Sequence, residues 1–590
     1  MCGIFALLNN DEYFTRQFQE EQFKKGVGRG PEHSILTSVN VQTIFGFHRL
    51  AINGLNPESN QPIRVKDVSL ICNGEIYNYR ELYDAMGITP TTDSDCEVII
   101  HLYLKYGIEH TLQMLDGVFS FVLMDARINL PKHKIYVARD PYGVRPLFWL
   151  RSPKSNHFTA FASELKCLSA FYQELDKDDE NDYMISAFEP GHLVEFDLPW
   201  MVSPRWTLSR VHKYHSTGFN TTTHESEEAV LENIRRYFTA AVFKRCCTTD
   251  RPIACLLSGG LDSSLVAALV SDYHRIHNLP PIETYSIGLE GADDLKYARI
   301  VADHIGSVHT EIIVSEKDFT DIVPTVIRAI ESYDTTTVRA SLGNWMIGKY
   351  ISEHSEAKVI FNGDGSDELC GGYLYMHKCP DSIEFDKESR RLLKDIHFFD
   401  VLRSDRSISS HGLEPRTPFL DRSWVQYYLS LSPDIRYHPN LGNKEKYLLR
   451  SAFSDAPDSR DFDLLPSNII WRRKEAFSDG VSLGTRSLYQ ILQEKATSVV
   501  NNATVSAALS AATVSAATVS VATVSPATVS PATVSQDIIY DHNPPITEEQ
   551  KWYRRIFENE YPGLARVIPY FWMPKYVEAK DASARTLSIY

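Results

Sequence analysis

Residues Ser258-Gly259-Gly260-Leu261-Asp262-Ser263-Ser264 put two glycines, three hydroxyls and one carboxylate into seven positions. Glycine lets backbone N–H groups come close to an anion and serine adds donors, so the stretch suits a phosphate cradle. The lysine of a Walker A loop is missing, and Asp262 stands where positive charge would be expected. A carboxylate beside phosphates calls for a divalent cation between them, which makes Asp262 a candidate Mg2+ ligand. The rival reading is a serine- and glycine-rich turn with no ligand.

Cys2 offers a different chemistry. Loss of Met1 would leave a thiol and an α-amine on one residue. An α-amine has an unperturbed pKa of about 7.7–8.0, so it can act as base for its own nucleophile near neutral pH. Position alone reads as an incidental cysteine near a terminus, but other stretches agree with the chemical reading. Asn73-Gly74-Glu75 follows the apolar run Val68–Cys72, placing an amide and a glycine N–H at a strand end, as an oxyanion hole needs. Arg49 could hold an α-carboxylate and Asp95 an α-ammonium; taken singly, each would be a surface ion-pair residue.

A third cluster, Asn362-Gly363-Asp364-Gly365-Ser366-Asp367-Glu368, sets three carboxylates among glycines. Asp367 is a candidate metal partner for Asp262, the plain alternative being a solvated turn. Residues 331–339 bring hydroxyls and the Arg339 guanidinium, suited to a dicarboxylate, and Lys474 sits in the basic run 471–475.

These residues need elements to position them. The apolar run Ile253–Leu257 reads as a strand and Leu265–Val270 as helical, so the 258–264 loop joins a strand end to a helix N-terminus. Further on, Thr284–Leu289, Glu311–Val314 and Lys358–Phe361 read as strands and Leu295–Ile305 as a helix. That is α/β order with a mostly parallel sheet, whose ligands lie beyond the strands' carboxyl ends. The 258–264 loop, Ser286–Gly288 and the 362–368 turn all fall there. Residues 201–226 are rich in proline, serine, threonine and histidine and read as a linker, with a helical stretch Ala229–Phe243 after it. The expected division is 2–200, linker 201–226, and 227–590.

A chain of 590 residues is too long for one core. Its net charge of −16 argues against broad binding to nucleic acid or anionic membrane, which leaves small substrates as partners. Nine scattered cysteines without C-x-x-C pairs point to a reducing, cytoplasmic setting. No run approaches the length of a membrane span, and the apolar start lacks a basic flank, so it reads as a first strand and not a signal peptide.

The 258–264 loop resembles the pyrophosphate-binding loop of the N-type ATP pyrophosphatases. The first 200 residues resemble a class II, N-terminal-nucleophile glutamine amidotransferase domain, carried by Cys2–Phe5, Arg29-Gly30-Pro31 and Arg139–Leu147. The remainder resembles the glutamine-hydrolysing asparagine synthetases, in Ser258–Ser264, Tyr285–Gly291, Tyr333–Ser341, Gly363–Tyr373, Arg416–Asp421, Lys474–Val481 and the eukaryote-like end Tyr570–Lys575 with Ser583–Leu587. The resemblance implies an N-terminal four-layer αββα sandwich and a C-terminal α/β doubly wound parallel sheet with added helices. It implies Cys2 as nucleophile, Asn73 and Gly74 as oxyanion donors, and a glutamine pocket of Arg49, Leu50, Ala51, Ile52, Asn53, Asn73, Gly74, Glu75 and Asp95. Leu256, Ile287, Asn362 and Gly363 would contact ATP with Ser258, Gly259, Gly260, Asp262, Ser263 and Ser264. Asp364 would act in forming a β-aspartyl-adenylate, and Lys474 would neutralise charge on departing pyrophosphate. ATP, aspartate and glutamine are the implied substrates, Mg2+ the implied ion, and a homodimer the implied assembly.

Two departures stand out. The family usually has glutamate where this chain has Asp364 and serine where it has Asn362. Between 502 and 535, Ala-Thr-Val-Ser recurs at a five-residue step without large side chains, which reads as a disordered, dispensable insertion, with strand stacking the alternative. The expected function is glutamine-dependent asparagine synthesis. Its rivals are an amidotransferase of the same build with another carboxylate acceptor, and a catalytically silent homologue acting as a binding protein.

Overall fold

Strand β1 (Gly3–Leu8) is apolar at every position because both of its faces are covered. Ile4, Ala6 and Leu8 point between two sheets with Phe47, Ile71 and Val122, whereas Phe5 and Leu7 pack outward with Phe14, Phe23 and Phe171. Successive side chains of a strand alternate faces, so such a run marks the inside of a layered structure. The computed structural model describes residues 1–11, 13–154, 157–177, 182–199, 204–217, 222–454, 464–472, 480–483, 485–500 and 540–586.

The first sheet contains β1 with β2 (His33–Asn40), β3 (Thr43–Arg49), β8 (Phe148–Arg151), β9 (Thr159–Ala162) and β10 (Met184–Ala187), in the order β10-β8-β9-β1-β3-β2. The second contains β4 (Ile63–Val65), β5 (Val68–Ile76), β6 (Gly117–Asp125), β7 (Lys132–Arg139), β11 (His192–Pro199) and β12 (Thr207–Lys213), in the order β12-β11-β7-β6-β5-β4. Every pairing in both is antiparallel. Helices Tyr79–Met86 and Val98–Tyr106 cover the outer face of the second sheet, and Ser169–Leu175 that of the first. This is the αββα sandwich. Strand β12 falls inside 201–226, where a linker was expected; its exposed, polar residues carry little hydrophobic signal, and pairing with β11 makes it a strand.

The third sheet is wholly parallel, ordered β15-β14-β13-β16-β17, from β13 (Ile253–Leu256), β14 (Glu283–Leu289), β15 (Val308–Val314), β16 (Val359–Phe361) and β17 (Glu414–Arg416). Ile253 and Cys255 join a core with helices Glu227–Cys247 and Leu261–Ile276, while Ala254 and Leu256 face helices Glu316–Ile330 and Thr335–His354. Helices on both faces make it doubly wound. The repeat region 502–535 lies outside the described residues.

Candidate functional sites

At the N-terminal site, β1 and β5 bring residues 71 positions apart into contact: the Cys2 N–H donates to Asn73 Oδ1 at 3.2 Å. The Cys2 thiol lies 3.6 Å from the Leu50 carbonyl. Asn73 is fully buried, and its Nδ2 has no hydrogen-bond partner. A buried amide donor left unpaired is costly in a resting structure, and it is what an oxyanion would take up. Gly74 follows with no room for a side chain, since a Cβ would come within 2.6 Å of the Val118 carbonyl. Burial raises the Cys2 thiol pKa, so the thiol needs a base close by.

The other expected pocket residues cluster here. Asn53 Nδ2 donates to Glu75 Oε2 at 2.6 Å, and Asn53 Oδ1 is buried without a partner. The Ile76 N–H donates to Asp95 Oδ2 at 2.7 Å, yet burial pushes the Asp95 carboxyl up to about 6. Burial likewise raises Glu75 well above the usual range. Leu50, Ala51 and Ile52 are buried, their backbone tied by Ala51 to Glu32 and Arg251. Arg49 turns its guanidinium to the neighbouring loop, donating to Asn56 O at 2.9 Å, Asn60 Oδ1 at 2.7 Å and Gly54 O. Gly54, Tyr79, Arg80, Tyr83, Ser94 and Asp250 line a cavity of about 410 Å³, and Gly54 and Ser94 adjoin Asn53 and Asp95 in the chain.

The second site lies beyond the carboxyl ends of β13, β14 and β16. A cavity of about 210 Å³ is lined by Leu256, Ser258, Gly260, Asp262, Ser263, Ile287, Asn362, Gly363, Asp364 and Asp367, together with Thr336, Asn344, Arg403, Lys446, Arg450 and Arg472. Helix Leu261–Ile276 starts at this wall. The Ser258 and Ser263 hydroxyls lie 3.0 Å apart, and Ser263 Oγ accepts from the Ser258 N–H. Gly259 and Ser264 are not on the wall. Gly259, at φ +69°, turns the loop against Tyr297 and Ala298, and Ser264 is buried behind it.

Asp262 and Asp367 meet as the sequence suggested, but around a cation that sequence reasoning missed. The Lys446 ammonium donates to Asp262 Oδ2 at 2.6 Å and pairs with Asp367. Burial alone would lower the Lys446 pKa; the two carboxylates outweigh it and raise it. Asp262 also accepts from Ser366 Oγ at 2.8 Å. Among the described residues, no group of three or more His, Cys, Asp or Glu side chains gathers as a metal site. Asp364 accepts from Arg403 at 3.0 Å, its Oδ2 is buried without a partner, and burial pushes its carboxyl up to about 6. The Asn362 side chain is occupied by Ser404 Oγ at 2.6 Å.

One further expectation comes out differently, and another falls on residues that are not described. Arg339 does not offer its guanidinium to the cavity: it is buried, donating to Glu549 at 2.9 and 2.6 Å and to Asp581 at 2.7 and 2.8 Å. Lys474 lies outside the described residues, and Arg472 stands at the cavity wall, held by Asp294 at 2.9 Å.

Strand β17 touches both sites. Arg416 reaches Glu75 at 3.4 Å, Glu414 pairs with the Met1 ammonium at 3.4 Å, and the Arg416 carbonyl accepts from the Asn362 N–H at 3.1 Å. Arg29, on the other flank, donates to the Cys2 carbonyl at 2.9 Å and to Asp405 at 2.7 Å. No sequence signal marks Lys446, Arg403 or Glu414, since charged residues in mixed runs look alike whether solvated or buried.

Residues 1–196 match the family model described as glutamine amidotransferase domain, and residues 233–385 and 379–522 match that described as asparagine synthase. The chain is 41% identical over 607 residues to asparagine synthetase [glutamine-hydrolyzing] of Gallus gallus, and 40% over 617 residues to that of Homo sapiens, covering 100% of this chain and 99% of each relative. Among solved structures, NMN synthetase from Francisella tularensis aligns at TM-score 0.21 and 11% identity over 45% of this chain and 92% of that one, a likeness from which nothing follows.

Proposed function

The chain belongs to the family of glutamine-hydrolysing asparagine synthetases, and we propose from the two sites how it makes asparagine from aspartate, ATP and glutamine. The observation that carries this reading is that one strand, β17, contacts the pocket around Cys2 on one side and the cavity around Asp262 on the other.

At the first site, removal of Met1 turns the Cys2 N–H, held by Asn73 Oδ1, into a free amine. That amine takes the thiol proton, and Cys2 Sγ attacks the side-chain amide carbon of glutamine. Asn73 Nδ2 and the Gly74 N–H hold the oxyanion; ammonia leaves as the thioester forms, and water then releases glutamate. Asp95 takes the α-ammonium in its ionised form. Arg49 grips the α-carboxylate once its guanidinium leaves the 54–60 carbonyls.

At the second site, the β-carboxylate of aspartate attacks the α-phosphorus of ATP, forming the β-aspartyl-adenylate and expelling pyrophosphate. Ammonia then displaces AMP to give asparagine. The N-terminus of helix Leu261–Ile276, the Ser258 and Ser263 hydroxyls and Lys446 receive the phosphates. Asp262 and Asp367, whose carboxylates converge on one cationic centre, would hold Mg2+, a hard cation suited to oxygen ligands. Mg2+ there would neutralise charge on the leaving pyrophosphate. Arg403 holds Asp364 at the cavity wall.

Free ammonia at neutral pH is mostly protonated, so its transfer past β17 should exclude bulk water. The division 2–200 and 227–590 assigns one reaction to each part; the resemblance suggests a homodimer, and the scattered cysteines suit a reducing, cytoplasmic setting. The test is asparagine formation from glutamine or ammonium by wild type and Cys2→Ala. Loss of only the glutamine-dependent reaction supports both sites. Failure with both nitrogen sources in wild type would reject aspartate as acceptor.

A further inference from the structure

A cavity of about 190 Å³ at the sandwich shares no lining residue with either site. Leu8, Trp149, Phe196, Trp206 and Leu208 give it an apolar side, and Asn9, Arg151, Ser152, Lys154, His157 and Thr159 a polar one. Two donors there lack partners. The Trp149 indole N–H is buried without a hydrogen bond, on a side chain 7% exposed, and Arg151 Nε is equally unpaired. The Arg151 guanidinium lies 4.4 Å from the Trp149 ring centroid, and among the described residues no carboxylate pairs with it.

The neighbouring cations are already matched. Lys154 is paired with Asp182 at 2.5 Å, and Arg205 with Asp11 at 2.8 Å and with His157. One uncompensated positive charge beside one idle N–H, on a wall that is polar on one side and aromatic and aliphatic on the other, matches a single anionic head on a small apolar body. A guanidinium takes a planar carboxylate by a two-bond fork, and unsatisfied buried donors favour any acceptor that reaches them. A phosphate dianion would bring more charge than the one unmatched cation offsets.

We propose that this cavity binds a small monocarboxylate, its head on Arg151 and Trp149 and its apolar body among Phe196, Trp206 and Leu208. The inference is independent of the two reactions, because no residue of either site takes part.

The test titrates the full chain with sodium benzoate by calorimetry, with inorganic phosphate as a second probe. Saturable one-to-one benzoate binding is expected, with phosphate at least roughly tenfold weaker. Arg151→Gln should weaken benzoate roughly tenfold or more and Trp149→Phe, which keeps the ring and deletes the N–H, roughly fivefold, while Arg205→Gln stays within about twofold. Glutamine-dependent activity within about twofold of wild type reports that each variant is folded. Should Arg151→Gln fail to fold, Trp149→Phe against Arg205→Gln decides. Non-saturating benzoate heat, equal binding of phosphate, or equal weakening by Arg205→Gln overturns the proposal.

Discussion

Replacing Asn73 by alanine removes the Nδ2 that stands buried and unpaired beside Cys2. Loss of one preorganised oxyanion donor costs about 2.7–4 kcal/mol of transition-state stabilisation, or about 10²–10³ in kcat. The same change deletes the 3.2 Å bond from Cys2 N to Oδ1, worth about 1 kcal/mol in placing the nucleophile. Glutamate release from glutamine should therefore fall by about 10³, while ammonium-dependent asparagine formation stays within about twofold. Asn73→Asp sharpens the test. It keeps an oxygen for the Cys2 amine but sets a carboxylate against the developing oxyanion, so it should be at least as impaired as alanine. Glutaminase and ammonium-dependent assays run side by side, with thermal melting as the folding control. A folded Asn73→Ala protein that retains glutaminase activity within about fivefold would refute the oxyanion assignment.

Other outcomes are as specific. Burial holds Asp95 at about 6, so below that pH it is neutral and cannot pair with an α-ammonium; the KM for glutamine should climb about tenfold per pH unit below 6 and be flat above it, and Asp95→Asn should abolish the slope. Lys446→Met removes the ammonium that receives the phosphates and that pairs with Asp262 and Asp367; pyrophosphate release should drop about 100-fold or more, with glutaminase activity kept. Gly372→Ala would set a Cβ 1.9 Å from Asp367 Oδ1 and 2.1 Å from Lys446 Cε, so ATP-dependent turnover should fall more than about tenfold for about 1–3 kcal/mol of lost stability in denaturant unfolding. Arg339→Gln strands the fully buried Glu549 carboxylate and should cost about 3–5 kcal/mol, most of it recovered in the double variant with Glu549→Gln.

Local chemistry and local periodicity are legible in the amino-acid order. The glycines and hydroxyls at 258–264 announce a phosphate loop because the needed backbone freedom and donors sit within seven residues, and the parallel sheet shows in short apolar runs spaced by helices. Cys2 and Asn73 were legible as chemical types, and their contact across 71 positions came from the pairing of sheets. The αββα sandwich came from resemblance: a run like Gly3–Leu8 reports that both faces are covered but not by what. Strand β12 was missed because an exposed edge strand carries hardly any apolar pattern. Folding alone brings Lys446, 184 positions from Asp262, to the two carboxylates, sets Glu549 and Asp581 on Arg339, and places β17 between the two sites. A charged side chain looks the same in sequence whether water or a buried partner satisfies it, and the partner is chosen by where the folded chain returns.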